Sequence, residues 1–248
     1  MPAEYLLHSP AEDTFRISTE GTTFLYRIHP GDIFGSQFYW KRAHDWEPDV
    51  RSLFAKYARR APRVIDIGAH SGFYTVLACA LNSKCEVMAF EPAPVAFQWL
   101  TDNVAINGFT ARCRLFKTAI SDLDGEMHFV VSEDPTMSHL AATGGMAVEV
   151  VRLDSVVPRD GKTTLIKIDI EGSEHLALLG MAETIRDSQP VIFFECNPGG
   201  PAEALEAIFR DHGYDMYGLV GGKPRKLDRL IPEEFAHTHH NFLATHDQ

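Results

Sequence analysis

The stretch Val64-Ile-Asp-Ile-Gly-Ala-His-Ser-Gly-Phe-Tyr-Thr-Val-Leu-Ala78 decides the fold. Val64 to Ile67 is a short apolar run that reads as a buried strand. Gly68 and Gly72 bracket a tight turn, and Phe73 opens a helix. Glycine leaves room for a ligand to approach the turn backbone, and the first turn of a helix offers unpaired N–H groups. A doubly wound α/β protein holds a nucleotide-like cofactor in such a strand–turn–helix.

Downstream of residue 62 the pattern alternates. Strands are expected at Arg63 to Ile67, Glu86 to Phe90, Arg112 to Ile120, Thr164 to Ile170 and Val191 to Cys196. Helices are expected at Phe73 to Leu81, Pro94 to Asn107, Glu174 to Arg186 and Ala202 to Arg210. Strands alternating with helices predict a mostly parallel sheet covered on both faces. Glu126 to Val131 and Met146 to Val151 break the alternation and read as a β insertion around Gly144-Gly145, while Asp215 to Val220 and Asn241 to Thr245 form a closing antiparallel pair. Upstream, Thr14 to Ile17 and Thr22 to Ile28 read as strands about a Gly21 turn, and Pro48 to Arg59 as a helix. The chain thus divides into an N-terminal extension and lid region, residues 1–61, and an α/β domain, residues 62–248.

The 248 residues carry a formal net charge of −11, with 45% hydrophobic and 23% charged residues. A protein that neutralises phosphates along a duplex needs the opposite sign, so nucleic acid is not the expected partner. Lys223, Arg225, Lys226 and Arg229 make one small basic patch. The four cysteines form no CxxC pair, which fits a reducing compartment. Met1 to Glu20 contains acids and no long apolar core, so no leader is expected. No apolar run reaches the roughly 20 residues that cross a bilayer. A cytoplasmic protein is the expectation, with no membrane partner.

Ligands of open α/β sheets bind beyond the carboxyl ends of the strands. Polar residues collect there: Asp66, Gly68, His70, Ser71 and Gly72; Glu91 and Pro92; Ser121 and Asp122; Asp169 and Glu171; Glu195 and Asn197. Glu91 ends an apolar run about 20 residues beyond the glycine turn, where an acid accepts hydrogen bonds from both hydroxyls of a ribose. Its other reading is an acid that complements the dipole of the next helix. The turn reads Gly-x-x-x-Gly and lacks the second glycine that admits a pyrophosphate. A cofactor without a pyrophosphate, such as S-adenosylmethionine, suits it better than a nicotinamide dinucleotide.

The chain resembles the FkbM-type S-adenosylmethionine-dependent methyltransferases. The matching segments are Val-Ile-Asp-Ile-Gly-Ala-His-Ser-Gly-Phe-Tyr (64–74), Ala-Phe-Glu-Pro (89–92), Asn-Val-Ala-Ile-Asn-Gly (103–108), Ala-Ile-Ser-Asp (119–122), Arg-Leu-Asp-Ser (152–155), Leu-Ile-Lys-Ile-Asp-Ile-Glu-Gly-Ser-Glu (165–174) and Pro-Val-Ile-Phe-Phe-Glu (190–195). The resemblance implies a class I, Rossmann-like methyltransferase fold and methyl transfer, usually to oxygen. It implies that the methionine part lies near Asp66, Gly68 and His70 to Phe73. The ribose then falls at Glu91 and Pro92, the adenine near Ser121 or Asp122, and Asp169 near the sulfonium. The family more often has Asn where this chain has His70. Residues 1 to about 44 match weakly and are expected to serve this protein's own substrate.

Methyl transfer from a sulfonium is an in-line displacement, and orientation alone contributes about 7–11 kcal/mol to such reactions. What remains is the proton on an attacking hydroxyl, which a carboxylate in hydrogen-bond reach removes. Asp169, Glu171 and Glu195 are the candidates. Each has a structural alternative: an ion pair of Lys167 with Asp169, a helix cap by Glu171, a loop tie by Glu195. Asp169, Glu195 and Asn197 also have the donor chemistry of a hard cation site, although no metal is expected from spacing alone. His237-x-His239-His240 reads as a solvated loop. The aromatic run Phe34 to Trp46 reads either as a lid or as cover for the sheet edge. The expected activity is O-methylation of a small-molecule hydroxyl. N- or C-methylation, nicotinamide chemistry and non-catalytic cofactor binding are the alternatives.

Overall fold

The structure is a computed structural model and describes residues 13–32, 35, 39, 47–130, 139–141, 144–238 and 240–246. Among these, eight strands form the central sheet. Five run parallel: β3 (Arg63–Ile67), β4 (Glu86–Phe90), β5 (Cys113–Phe116), β10 (Thr163–Ile168) and β11 (Val191–Glu195). β14 (Asn241–Thr245) pairs antiparallel with β11 and with β12 (Asp215–Val220), and β13 (Lys223–Leu227) closes that edge. The spatial order is β13-β12-β14-β11-β10-β3-β4-β5. The chain starts in the middle and reverses direction between β3 and β10, which opens a crevice at their carboxyl ends.

Side chains alternate across the strands, so each strand feeds two apolar layers. Val64, Val87, Leu165 and Phe193 face one layer, with helices α1 (Pro48–Ala58), α2 (Phe73–Leu81) and α3 (Pro94–Ile106). Ile65, Met88, Ile166 and Phe194 face the other, with α5 (Glu174–Leu179), α6 (Ala182–Ser188) and α7 (Ala202–Asp211). A short helix α4 (Leu153–Val156) precedes β10. The N-terminal hairpin, β1 (Asp13–Thr19) and β2 (Thr22–Ile28), packs into the first layer through Ile17, Phe24 and Tyr26.

Three expectations need correction. The strand expected at 112–120 is two pieces. Cys113–Phe116 edges the main sheet, whereas β6 (Ala119–Ile120) pairs with β9 (Met146–Val151) in a second sheet ordered β6-β9-β7-β8, where β7 is Gly125–Val130 and β8 is His139–Ala141. The helix expected at 174–186 breaks after Leu179, where Met181 leaves the helical region at φ −124°; Gly180 beside it has to be glycine, because a side chain there would lie 1.9 Å from the Ser121 carbonyl oxygen. Lys223–Leu227, where no strand is expected, is an edge strand that carries three residues of the basic patch; Lys226 pairs with Asp215 and Arg225 with Glu234. The 34–46 aromatic run falls outside the described residues apart from Gly35 and Tyr39, as does His239. No helix among the described residues is long and apolar enough to cross a membrane.

Candidate functional site

The turn after β3 is built by backbone contacts. Gly68 and Ala69 donate to the Phe90 carbonyl at 2.9 and 3.0 Å, and Gly72 donates to the Ala69 carbonyl at 2.8 Å. Gly68 and Gly72 have φ of 80° and 87°. A Cβ on Gly68 would sit 1.9 Å from the Asp169 carbonyl oxygen, and one on Gly72 would sit 2.6 Å from Leu100. Gly68 is therefore required by conformation and by space, and Gly72 by its left-handed backbone. His70 lies between them at φ 49°. Among non-glycine residues, His is with Asn and Asp one of the types enriched in this left-handed region.

Glu91 is buried at the end of β4. Its Oε2 accepts the His70 N–H at 2.8 Å and its Oε1 accepts the Ala93 N–H at 2.9 Å. One oxygen thus meets the start of α3, as the helix-start reading expects, and the other ties the glycine turn. Burial pushes its carboxyl up to about 7 against the pull of these two N–H groups. Asp66 is buried and accepts the Thr75 hydroxyl at 2.6 Å, with burial raising its pKa. His70 is driven down to about 4 by burial and is neutral at physiological pH. The Phe73 side chain packs edge-on to Phe24 in the apolar layer, so only its backbone faces the turn. Pro92 is buried, Ser121 is buried beside Gly180, and Asp122 is exposed with one carboxylate oxygen 3.2 Å from the Ser121 hydroxyl.

The three carboxylates assigned to catalysis come together. Asp169, Glu171 and Glu195 each bring one oxygen within 4.8 Å of the others. The Lys167–Asp169 ion pair is present at 2.6 Å, with the ammonium buried. Glu171 accepts the Asn197 side-chain amide at 3.1 Å and caps no helix; the loop is instead held by Glu174, whose Oε1 accepts the Ile170 and Gly172 N–H groups. Glu195 Oε2 is buried without a hydrogen-bond partner. Burial first, then the charges of Asp169, Glu171 and Glu174, push its carboxyl far above the usual range, so it carries a proton at neutral pH. Three carboxylates this close share protons or a cation. Their oxygens lie close enough together to serve a hard divalent ion as ligands.

Several site residues give no signal in the sequence. Glu47 lies before α1 at φ 41° and caps nothing. Its oxygens accept the Tyr74 hydroxyl at 2.7 Å and the Asn241 amide at 2.9 Å. The Lys167 ammonium sits 4.7 Å over the Tyr74 ring and feels the charges of Asp169, Glu47 and Asp66. No spacing rule connects residues 47, 74, 167 and 241. Asn103 and Asn107 do have a signal, their four-residue spacing on α3, and their role is described below.

A parallel sheet with a glycine turn after its first strand, an acid ending the second, and an antiparallel strand next to the last parallel strand defines the class I methyltransferase fold. The family model described as "Methyltransferase FkbM domain" matches residues 66–216, and the chain belongs to that family. It is 27% identical over 232 residues to the 31-O-demethyl-FK506 methyltransferase FkbM of Streptomyces tacrolimicus, covering 78% of this chain and 82% of that one. It is 26% identical over 192 residues to the methyltransferase sdnD of Sordaria araneosa, covering 62% and 74%. The crystal structure of a methyltransferase FkbM from Methylobacillus flagellatus KT superposes with a TM-score of 0.50 at 16% identity, covering 75% of this chain and 44% of that longer one. The protein is an S-adenosylmethionine-dependent methyltransferase. The residues present suit that cofactor. The turn is closed to any Cβ, and each buried Glu91 oxygen accepts one N–H and keeps a second lone pair for a hydroxyl.

Proposed function

We propose that this protein methylates a hydroxyl group of a small molecule. The observation that carries the reading is the carboxylate trio Asp169, Glu171 and Glu195 beside the glycine turn, which offers an oxygen acceptor somewhere to lose its proton. The names of relatives point the same way: the Streptomyces protein is named for a 31-O-demethyl substrate, and a Sinorhizobium fredii relative is a 2-O-methyltransferase.

When bound, S-adenosylmethionine supplies an electrophilic methyl on a sulfonium. On this reading Asp66, Gly68, His70, Ser71, Gly72 and the Phe73 backbone hold its methionine part, Glu91 and Pro92 its ribose, Ser121 and Asp122 its adenine edge, and Asp169 flanks the sulfonium. Within the trio the roles separate by charge. Glu195 holds a proton and Asp169 is neutralised by Lys167. That leaves Glu171, oriented by Asn197, as the general base for the acceptor hydroxyl. Residues 62–248 then form the catalytic domain and residues 1–61 its extension, working in the cytoplasm.

The test is a turnover assay that follows S-adenosylhomocysteine formation across a panel of hydroxylated sugars, macrolides and peptides, before and after dialysis against a chelator. Product bearing a new O-methyl group, formed equally after dialysis, supports the reading. An N-methyl product would replace it, and activity lost to chelation and restored by Mg2+ would convert the trio from a base into a cation site.

A further inference from the structure

A two-stranded hairpin has little stability alone, so what β1–β2 docks on defines its purpose. It docks on the glycine turn. Asn103 and Asn107, one turn apart on α3, act together as a substitute strand along β2. The Asn107 amide accepts the Leu25 N–H at 2.8 Å and donates to the Leu25 carbonyl at 2.7 Å, while Asn103 accepts the Arg27 N–H at 2.7 Å. The same Asn103 amide donates to the Ser71 carbonyl at 2.9 Å, so one side chain joins α3, the hairpin and the turn. Between these two bonds β2 projects Tyr26, fully buried, whose hydroxyl meets the Ser71 hydroxyl. Ser71 Oγ also lies 3.1 Å from His70 Nδ1. Further along, His29 stacks on Trp99 at 5.7 Å, and His70 contacts the same indole edge-on at 5.7 Å.

We propose that the N-terminal hairpin is a working wall of the cofactor site and that Tyr26 is its positioning residue, acting through Ser71 on the His70 N–H that Glu91 accepts. The inference rests on the assignment of the glycine turn to the cofactor. It changes the expected role of the segment: residues 13–28 serve the common methyl donor, not this protein's particular acceptor. The argument is one of adjacency along the chain. His70, Ser71 and Gly72 are consecutive, and His70 and Gly72 both hold left-handed backbone, a conformation that persists where neighbours impose it. Tyr26 and Asn103 hold Ser71, the residue between His70 and Gly72, by its side chain and its carbonyl. Releasing one of them lets the His70 N–H drift from Glu91, and the acid that meets the ribose loses its orientation.

Calorimetry with S-adenosylhomocysteine tests this without needing an acceptor. Tyr26→Phe keeps the ring and removes the hydroxyl; Ile185→Val, buried in the apolar layer on the other face of the sheet, controls for stability. The expected result is a dissociation constant at least fivefold weaker for Y26F, measured well below the melting temperature, with I185V unchanged. A Y26F affinity within twofold of wild type overturns the proposal, even if its melting temperature falls, because the hairpin is then only a brace. If Y26F does not fold, Asn107→Ala loosens the hairpin from outside the turn and is read against the same limits. Absence of binding by the wild-type protein would instead remove the cofactor assignment itself.

Discussion

Raising the pH from 6 to 8 should tighten S-adenosylhomocysteine binding by about tenfold. The cause is Glu91, whose buried carboxyl sits at about 7 in the free protein. A ribose diol donates two hydrogen bonds and needs the ionised acid. A group at about 7 is roughly one-tenth ionised at pH 6 and nine-tenths at pH 8. His70, at about 4, is already neutral across this window, and Glu195 stays protonated, so neither contributes. Stability should move in the opposite sense. A carboxyl raised from 4.5 to about 7 on folding binds its proton more tightly in the folded than in the unfolded state. Stability therefore falls as pH rises through 5 to 7, by about 3 kcal/mol for such a shift taken at face value. Glu174, also at about 7, adds in the same direction. Calorimetry at several pH values, in buffers of differing ionisation enthalpy, reads affinity and the proton released on binding; urea melts of the free protein read the stability trend. Glu91→Gln should weaken binding and flatten the pH slope. An affinity constant or falling between pH 6 and 8, or a full slope retained in Glu91→Gln, would refute both the ribose assignment and the titration argument.

Gly68→Ala combines a left-handed backbone with a Cβ 1.9 Å from the Asp169 carbonyl, so it should abolish cofactor binding by calorimetry and lower the urea midpoint; near-normal binding would mean the turn is open. Lys167→Met removes the buried partner of Asp169 and should cost about 3–5 kcal/mol of unfolding free energy, with the double variant Lys167→Met, Asp169→Asn recovering part of it; a loss below about 1 kcal/mol would show that the pair is solvated. Glu195→Gln imitates the protonated acid and should leave the melting temperature at pH 7 nearly unchanged, while Glu171→Gln cuts turnover by about 100-fold or more. A larger loss of turnover in Glu195→Gln than in Glu171→Gln would move the base to Glu195.

The parallel core was legible because its signals are local. Val64 to Ile67 and Glu86 to Phe90 coincide with β3 and β4, and Thr22 to Ile28 with β2. The position of Glu91 follows from the fold's own spacing, and the trio follows from asking which residues leave adjacent strands. The errors arose where a distant contact decides. Gly180 looks like a weak helix residue until the Ser121 carbonyl is seen against it. Ala119–Ile120 follow Cys113–Phe116 after only two residues yet pair with Val150 and Val151 rather than with β4. Lys223–Leu227 has no apolar alternation because it is an exposed edge. The supports of the site were illegible for the same reason: Glu47 reaches Asn241 across 194 residues, and Tyr26 reaches Ser71 across 45.

These supports explain why so many acids survive at one end of the sheet. Among the described residues, Lys167 is the buried ammonium that faces Asp169, Glu47 and Asp66. One cation cannot balance them together with Glu91, Glu171 and Glu195. Part of the remainder is met by protons, as the raised carboxyls of Glu91 and Glu195 indicate. Such a site is under-neutralised, and a ligand bearing positive charge completes it. S-adenosylmethionine carries that charge on its sulfonium and the thioether left after methyl transfer does not. An acidic crevice of low dielectric therefore favours donor over product, and the whole chain, at −11, adds a field of the same sign. With the sulfonium placed as proposed, the crowding of carboxylates at the strand ends is relieved most when the donor is bound, and least once its methyl has gone.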